Sequence, residues 1–144
     1  MLVSTKGRYA LRVMIDLAEN RSDRYIPLKE VAQRQEISEK YLEIIIKDLV
    51  KAGLVDGVRG KGGGYKLTRE PEDYVVGDIL RIMEGSLSPV SCLEEGALPC
   101  SRAPVCRTLP MWEKLDKLVN EFFDGYTIRD LMADPASAGD NYVI

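Results

Sequence analysis

The sequence contains no histidine among its 144 residues. This absence excludes histidine-based acid–base catalysis and imidazole metal ligands from the polypeptide. No apolar run approaches the roughly 18 residues that a membrane-spanning helix needs, so we expect no membrane partner. The first eight residues have neither the long apolar core nor the small-residue cleavage site of a signal peptide, and we therefore expect an untargeted, cytoplasmic protein.

Cysteine is scarce, and its placement is informative. The three cysteines lie within fifteen residues, at Cys92, Cys100 and Cys106. An odd number cannot pair off completely within one chain, so at least one thiol stays free. Gly96 and Pro99 favour a loop over a helix here. A loop with three thiolates could hold a soft metal ion or an iron–sulfur cluster, and free thiols suit the reducing cytoplasm.

The cysteines alone leave three interpretations open: a cluster, a zinc ion, or unligated thiols. Structural zinc sites usually have four Cys or His ligands, often in closely spaced pairs, and no C-x-x-C pair occurs here. Iron–sulfur clusters accept irregular spacing and a non-thiolate ligand. An enzymatic role, such as thiol oxidoreduction, is disfavoured because a C-x-x-C motif, a histidine base and a recognisable nucleotide-binding motif are all missing.

Charge is unevenly distributed along the chain. Residues 1–70 contain 14 Lys and Arg against 10 Asp and Glu, whereas residues 71–144 contain 6 against 13. A basic first half and an acidic second half favour an anionic partner for the first half. The excess of four positive charges is modest, so a chance imbalance remains the alternative.

Hydrophobic spacing predicts a mainly α fold with a small β-hairpin. Apolar residues recur at intervals of three and four, as on one face of a helix, over residues 8–19, 28–34, 39–52, 75–84 and 108–124. Ser38 is a good N-cap for the third helix, and Gly53 is a typical residue after its end. Residues 54–58 and 64–68 flank a glycine-rich tip, which predicts a hairpin. Three helices followed by a hairpin is the order of a winged helix-turn-helix domain.

Two parts of this domain carry the expected DNA contacts. The N-terminal residues of the third helix would enter the major groove, and Glu43 could accept a hydrogen bond from cytosine N4. At the hairpin tip, Arg59 and Lys61 supply charge, and the glycines would let the backbone approach the duplex. A simple flexible turn is the alternative. The expected contacts are Ser38, Lys40, Tyr41, Glu43, Arg59, Gly60 and Lys61.

The helix over residues 108–124 has a wide apolar stripe that contains the only tryptophan of the chain. Such a stripe is most often buried in the core of its own domain. A domain this short has little interior left to cover it, so packing against a second copy in a two-fold homodimer is the economical interpretation. The expected dimerisation residues are Met111, Trp112, Leu115, Leu118, Val119 and Phe122.

Four motifs together resemble the bacterial winged-helix regulators that include IscR, NsrR, RirA and CymR. These motifs begin at Ser4, Ser38, Gly53 and Arg59 and read Ser-Thr-Lys-Gly-Arg-Tyr-Ala, Ser-x-x-Tyr-Leu-Glu, Gly-Leu-Val and Arg-Gly-x-Gly-Gly-Gly-Tyr. The resemblance implies a homodimer that binds a palindromic double-stranded DNA operator. Lys6 and Tyr65, which lie within the motifs, join the expected DNA-binding residues.

The resemblance also implies a role for the cysteines. IscR-like, NsrR-like and RirA-like members carry three cysteines between the wing and the dimer helix, where Cys92, Cys100 and Cys106 lie, whereas CymR-like members lack them. IscR-like members match best. They imply a [2Fe–2S] cluster, favoured over [4Fe–4S], and control of genes for cluster biogenesis. A cluster-free regulator that responds to thiol oxidation, nitric oxide or zinc is the alternative.

Two departures from the family pattern concern the fourth ligand. IscR-like members use a histidine three residues after the last cysteine, where this chain has Leu109. NsrR-like members use an acidic residue near position 8, where this chain has Arg8. The remaining candidates are Glu43, Glu94, Glu95, a small thiol or water.

The predicted organisation has four parts. Residues 1–84 form a winged helix-turn-helix domain, and residues 85–107 form the cysteine loop. Residues 108–133 contain the dimerisation helix and a short helix, and residues 134–144 form a tail.

Overall fold

A computed structural model describes residues 3–133, and the tail predicted at 134–144 lies outside the described residues. The prediction of a mainly helical chain with one antiparallel hairpin is confirmed. In chain order the elements are α1 (Thr5–Glu19), α2 (Leu28–Gln35), α3 (Glu39–Lys51), β1 (Val55–Val58), β2 (Gly64–Leu67), α4 (Val76–Glu84), α5 (Leu109–Asp124) and α6 (Ile128–Leu131). Short 3₁₀ helices lie at Pro71–Asp73, Ser91–Leu93 and Ala103–Val105.

The first four helices and the hairpin share one hydrophobic core, to which α3 contributes Leu42, Ile45, Ile46 and Leu49. Ile128 of α6 is also fully buried in this core, although the predicted boundaries group α6 with the dimerisation helix. The backbone N–H of Ile128 donates to Tyr74 O at 3.0 Å, and that of Val76 donates to Tyr126 O at 2.9 Å. Residues 77–125, which comprise most of α4, the cysteine loop and α5, therefore begin and end at adjacent points.

The hairpin is extended by the segment between α1 and α2. In the β1–β2 register Val55 faces Leu67 and Val58 faces Gly64. Ile26 donates its N–H to Tyr65 O at 2.9 Å and accepts from the Tyr65 N–H at 2.8 Å. The wing is thus held by backbone hydrogen bonds on both sides of β2.

Helix α1 begins three residues earlier than the apolar spacing predicts, because Ser4 caps it by accepting from the Gly7 N–H at 3.2 Å. Pro27 is the N-cap residue of α2 and not part of its first turn. Within residues 3–133 no helix is long and apolar enough to cross a membrane.

Candidate DNA-binding surface and cysteine loop

The start of α3 is built as the sequence predicts. The Ser38 hydroxyl accepts from the Tyr41 N–H at 3.1 Å, which satisfies one of the free N–H groups at the helix N-terminus. Lys40 and Glu43 are exposed on the following turns. The cap leaves the Ser38 hydroxyl proton available to a partner, and base contacts by Lys40 and Glu43 stay predictions.

Tyr41 has a structural role that the motif did not indicate. Its half-buried ring packs edge-on against Tyr9 of α1, with the ring centroids 5.8 Å apart and an interplanar angle of 88°. Arg12 lies over the other ring, 5.1 Å from the Tyr9 centroid. These contacts orient the first turn of α3 against α1.

A buried carboxylate that sequence reasoning missed positions the turn before α3. Asp16 of α1 is 2% exposed and accepts from Arg34 Nε and an Arg34 terminal nitrogen at 3.0 and 2.7 Å, and from Gln35 Nε2 at 2.9 Å. This contact raises the pKa of Arg34. Arg12 donates to the side-chain and backbone oxygens of Gln35. An aspartate within an apolar helix pattern was the available signal for this network.

The wing tip presents Arg59, Gly60 and Lys61 to solvent. Two of the following glycines are required by the fold itself. A Cβ on Gly63 would lie 2.3 Å from Val58 O, and a Cβ on Gly64 would lie 2.3 Å from Ile26 O. Gly60 and Gly62 have open space around them but adopt positive φ of 93° and 76°, so the turn itself favours glycine at both, and close approach of the tip to DNA stays a prediction.

A cleft of about 270 Å³ separates α3 from the wing. Its lining includes Glu43 and Lys47 from α3 with Arg59 and Tyr65 from the hairpin. The Tyr65 ring covers Gly57, where an added Cβ would lie 2.9 Å from a ring carbon. Of the predicted contact residues, Glu43, Arg59 and Tyr65 thus line one cleft, and Tyr65 also supports the hairpin.

Lys6 is engaged within the chain. Its ammonium donates to Asp48 Oδ2 at 2.5 Å and links α1 to α3. This hydrogen bond is the main cause of the lowered pKa of Asp48. Since its charge is already paired, Lys6 is a weaker candidate for phosphate contact than Lys40, and its role on DNA stays a prediction.

The residue that precedes the cysteine loop contacts the N-terminal end of α1. Glu84, the last residue of α4, accepts from the Ser4 N–H at 2.9 Å and from the Ser4 hydroxyl at 2.6 Å. Gly7 leaves room for this carboxylate, because an added Cβ would lie 2.3 Å from Glu84 Oε1. The start of residues 85–107 is thereby tied to the N-terminus of α1.

All three cysteines are free, with Cys92 and Cys100 exposed and Cys106 half-buried. The Cys106 Sγ lies 3.5 Å from Thr108 Oγ1, and this hydrogen bond lowers the pKa of the Cys106 thiol. Within residues 3–133 no three His, Cys, Asp or Glu side chains are close enough together to hold a metal ion. The structure therefore does not bring the three thiols together with one another, or with Glu94 or Glu95.

The predicted dimerisation residues divide between two faces of α5. Met111, Leu115, Leu118 and Phe122 are exposed, by 54%, 38%, 64% and 60%. Trp112 is half-buried, and Val119 packs with Phe123 against a small core of Val76, Leu80 and Leu87. Arg81 fixes this inner face by donating to Asp124 Oδ1 at 2.8 Å and Asn120 Oδ1 at 2.9 Å. The outer stripe of α5 is thus the part of the predicted interface that the chain leaves uncovered.

Comparison with known proteins follows this architecture closely. Residues 3–134 match the model of the Rrf2 family, described as iron-dependent transcriptional regulators. The chain belongs to the Rrf2 family. It is a DNA-binding transcription regulator and not an enzyme.

The Rrf2 proteins that are similar to this chain include both CymR and IscR proteins. The structure of CymR, named the global cysteine regulator of B. subtilis, is 40% identical, covers 91% of this chain and 95% of its own, and has a TM-score of 0.72. IscR of Aliivibrio salmonicida is 37% identical over 93% of this chain and 79% of its own length. The structure of T. potens IscR is 39% identical, covers 100% and 93%, and has a TM-score of 0.73. Overall similarity therefore does not separate an IscR-like from a CymR-like response.

Proposed function

We propose that this chain is a cytoplasmic, homodimeric regulator whose binding to a palindromic operator is controlled by an iron–sulfur cluster, with [2Fe–2S] favoured over [4Fe–4S]. Cys92, Cys100 and Cys106 would hold the cluster. The observation that carries the proposal is the position of all three thiols in one loop between the DNA-binding core and α5. The chain is similar to IscR proteins. This similarity supports the proposal that its target genes serve iron–sulfur cluster biogenesis.

The donor set suits a cluster in its chemistry. The three thiols are free and are borne by a loop with little packing of its own, and thiolates are the usual ligands of iron–sulfur clusters. The loop would have to close to gather them, and the fourth ligand would be a carboxylate such as Glu43, Glu94 or Glu95, or an external thiol or water. When bound, a cluster would supply a centre that oxidants and iron supply can alter.

A path of contacts supports control of DNA binding by the loop. Glu84 precedes the loop directly and holds Ser4 at the start of α1. Two residues further, Lys6 of α1 pairs with Asp48 of α3. Closing or opening of residues 85–107 would act on Glu84, and the displacement of α1 would change the posture of α3.

The outer stripe of α5 supports a homodimer. A two-fold axis through this stripe would bury the same four apolar side chains from both copies. Two α3 helices related by that axis would read two half-sites, as palindromic operators require. The same axis would set the half-site spacing.

An anaerobic absorption spectrum with iron and sulfide analysis tests the proposal. We expect visible bands and stoichiometric iron and sulfide in the wild type, loss of both in Cys92→Ala, and retention of both in Ser101→Ala, a loop substitution that removes no thiol. Operator affinity should differ between cluster-loaded and cluster-free wild type. A colourless, iron-free wild type prepared anaerobically would contradict the proposal.

A cluster-free regulator is the second candidate. It is favoured by the exposure of Cys92 and Cys100 and by the lack of a ready ligand group within residues 3–133. Such a regulator would respond to thiol oxidation, nitric oxide or zinc. A colourless protein with stoichiometric zinc, or one whose operator binding changes on reversible disulfide formation, would favour this candidate.

A further inference from the structure

The outer face of α3 carries one large apolar side chain. Ile44 is 54% exposed, the highest value for a large apolar residue within residues 3–90. The residues on either side of it, Glu43 and Ile45, are respectively exposed and buried. Ile44 therefore leaves much of its surface in water at the centre of the helix expected to enter DNA.

Helical spacing places Ile44 among lysines. Lys40 precedes it by four residues and Lys47 follows it by three, so the three side chains share one face. Both lysines are exposed, and neither hydrophobic cluster of the described chain includes Ile44. This face points away from the core residues Leu42 and Ile45, and its Lys47 borders the cleft beside the wing.

We propose that Ile44 reads the methyl group of a thymine in the operator. The C5 methyl of thymine is the apolar feature that the major groove offers, and aliphatic side chains contact it. Lys40 and Lys47 flank Ile44 and could approach phosphates on either side, which would hold the isoleucine against the base edges. Ile44 is thus a specificity-determining residue beside Glu43.

A single exposed apolar side chain often has no role. Here the alternative is less economical because isoleucine is a poorer helix former than the lysine or glutamate that solvent would accept at this position. The contact with a methyl group would remove the Ile44 surface from water only when DNA is bound. The inference needs DNA binding alone and does not depend on a cluster at the cysteines.

Substitution of deoxyuridine for thymidine tests the proposal, because it removes only the methyl group. The probe is a duplex that the wild-type chain selects from a randomised pool, with each thymine replaced singly. We expect the wild type to lose about three- to tenfold in affinity at one thymine position of each half-site, the size expected for one buried methyl group. Ile44→Ala should bind the unmodified duplex more weakly than the wild type by a similar factor, and its affinity should not change when that thymine is replaced. Ile44→Val should remain sensitive to the replacement.

Ile82→Ala is the matched control, since Ile82 is an exposed isoleucine of α4. It should keep the wild-type pattern. The proposal is overturned if no thymine methyl affects wild-type binding, or if the same positions remain sensitive in Ile44→Ala while circular dichroism shows that variant folded. DNA titrations are carried out on both iron-free and iron-loaded protein. The dependence on the thymine methyl should appear in whichever form binds DNA, so this test does not depend on whether a cluster controls binding.

Discussion

Helices α3 and α5 have similar amphipathic sequences but different surroundings. Of the 13 residues of α3, four are buried in the core, whereas none of the 16 residues of α5 is buried. A pattern of apolar residues therefore predicts a helix and its apolar face, but not what covers that face. The DNA-binding part completes its core within one chain, whereas α5 leaves an apolar stripe exposed in the part of the chain that the structure describes.

The largest expected effect comes from the buried side of this comparison. Leu49 of α3 is fully buried, so Leu49→Ala should lower the free energy of unfolding by about 2–5 kcal/mol through lost burial and a cavity. Chemical denaturation at a fixed protein concentration measures it. Val50→Ala, at the neighbouring and partly exposed position, should lose far less, and equal losses would contradict the assignment of the core.

The next effect concerns the exposed stripe of α5. Leu118→Glu should dissociate the proposed dimer, with a rise of about 100-fold in its dissociation constant, because a charge would be buried at the two-fold contact. Light scattering and analytical ultracentrifugation measure the mass. The helical circular dichroism signal should persist, since Leu118 is 64% exposed in the single chain.

Lys117→Glu is the control for Leu118→Glu. It changes the charge at an adjacent exposed position whose present partner is Glu121, 3.8 Å away. A dimer that survives Leu118→Glu would remove this stripe from the interface.

A smaller effect tests the contact between the two regions. Glu84→Ala removes the acceptor of both Ser4 donors and should cost about 1 kcal/mol of stability. Ser4→Ala removes the hydroxyl donor of the same contact. The free energy of unfolding of the double variant should therefore fall by less than the sum of the two single-variant losses. Strict additivity in a double-mutant cycle would show that the contact carries no coupling.

The smallest effect is expected at Lys6. The pair with Asp48 is partly exposed and screened by solvent, so Lys6→Met should cost less than about 1 kcal/mol near neutral pH. The lowered pKa of Asp48 means that the pair contributes above the ordinary aspartate pKa and that its contribution is lost as pH falls through the folded value. The free energy of unfolding, measured as pH is lowered, should fall less steeply in Lys6→Met than in Lys47→Met.

Local chemistry was readable from the sequence. The Ser38 cap, the glycine that follows α3 at Gly53 and the hairpin each depend on residues close together in the chain, and the structure has them as predicted. The cap and turn preferences of these residue types act within a few positions.

Long-range contacts were not readable. Lys6 meets Asp48 across 42 positions, and Ser4 meets Glu84 across 80. Gly64 is needed because Ile26 O lies against it, which no local pattern in the hairpin reveals. The placement of the cysteines in a loop was predictable, but the fourth ligand was not, because the family's ligand positions are Leu109 and Arg8 in this sequence.

The backbone bonds that join Tyr74 to Ile128 and Val76 to Tyr126 have an evolutionary consequence. These bonds bring together the two ends of residues 77–125, and the cysteine loop is an exposed stretch within that segment, where residues can be gained or lost without displacing the domain. Insertions and deletions in residues 85–107 should therefore be tolerated far better than in the turn between α2 and α3. The spacing of Cys92, Cys100 and Cys106 can then change during evolution, so that relatives with the same DNA-binding domain could acquire different sensory chemistry.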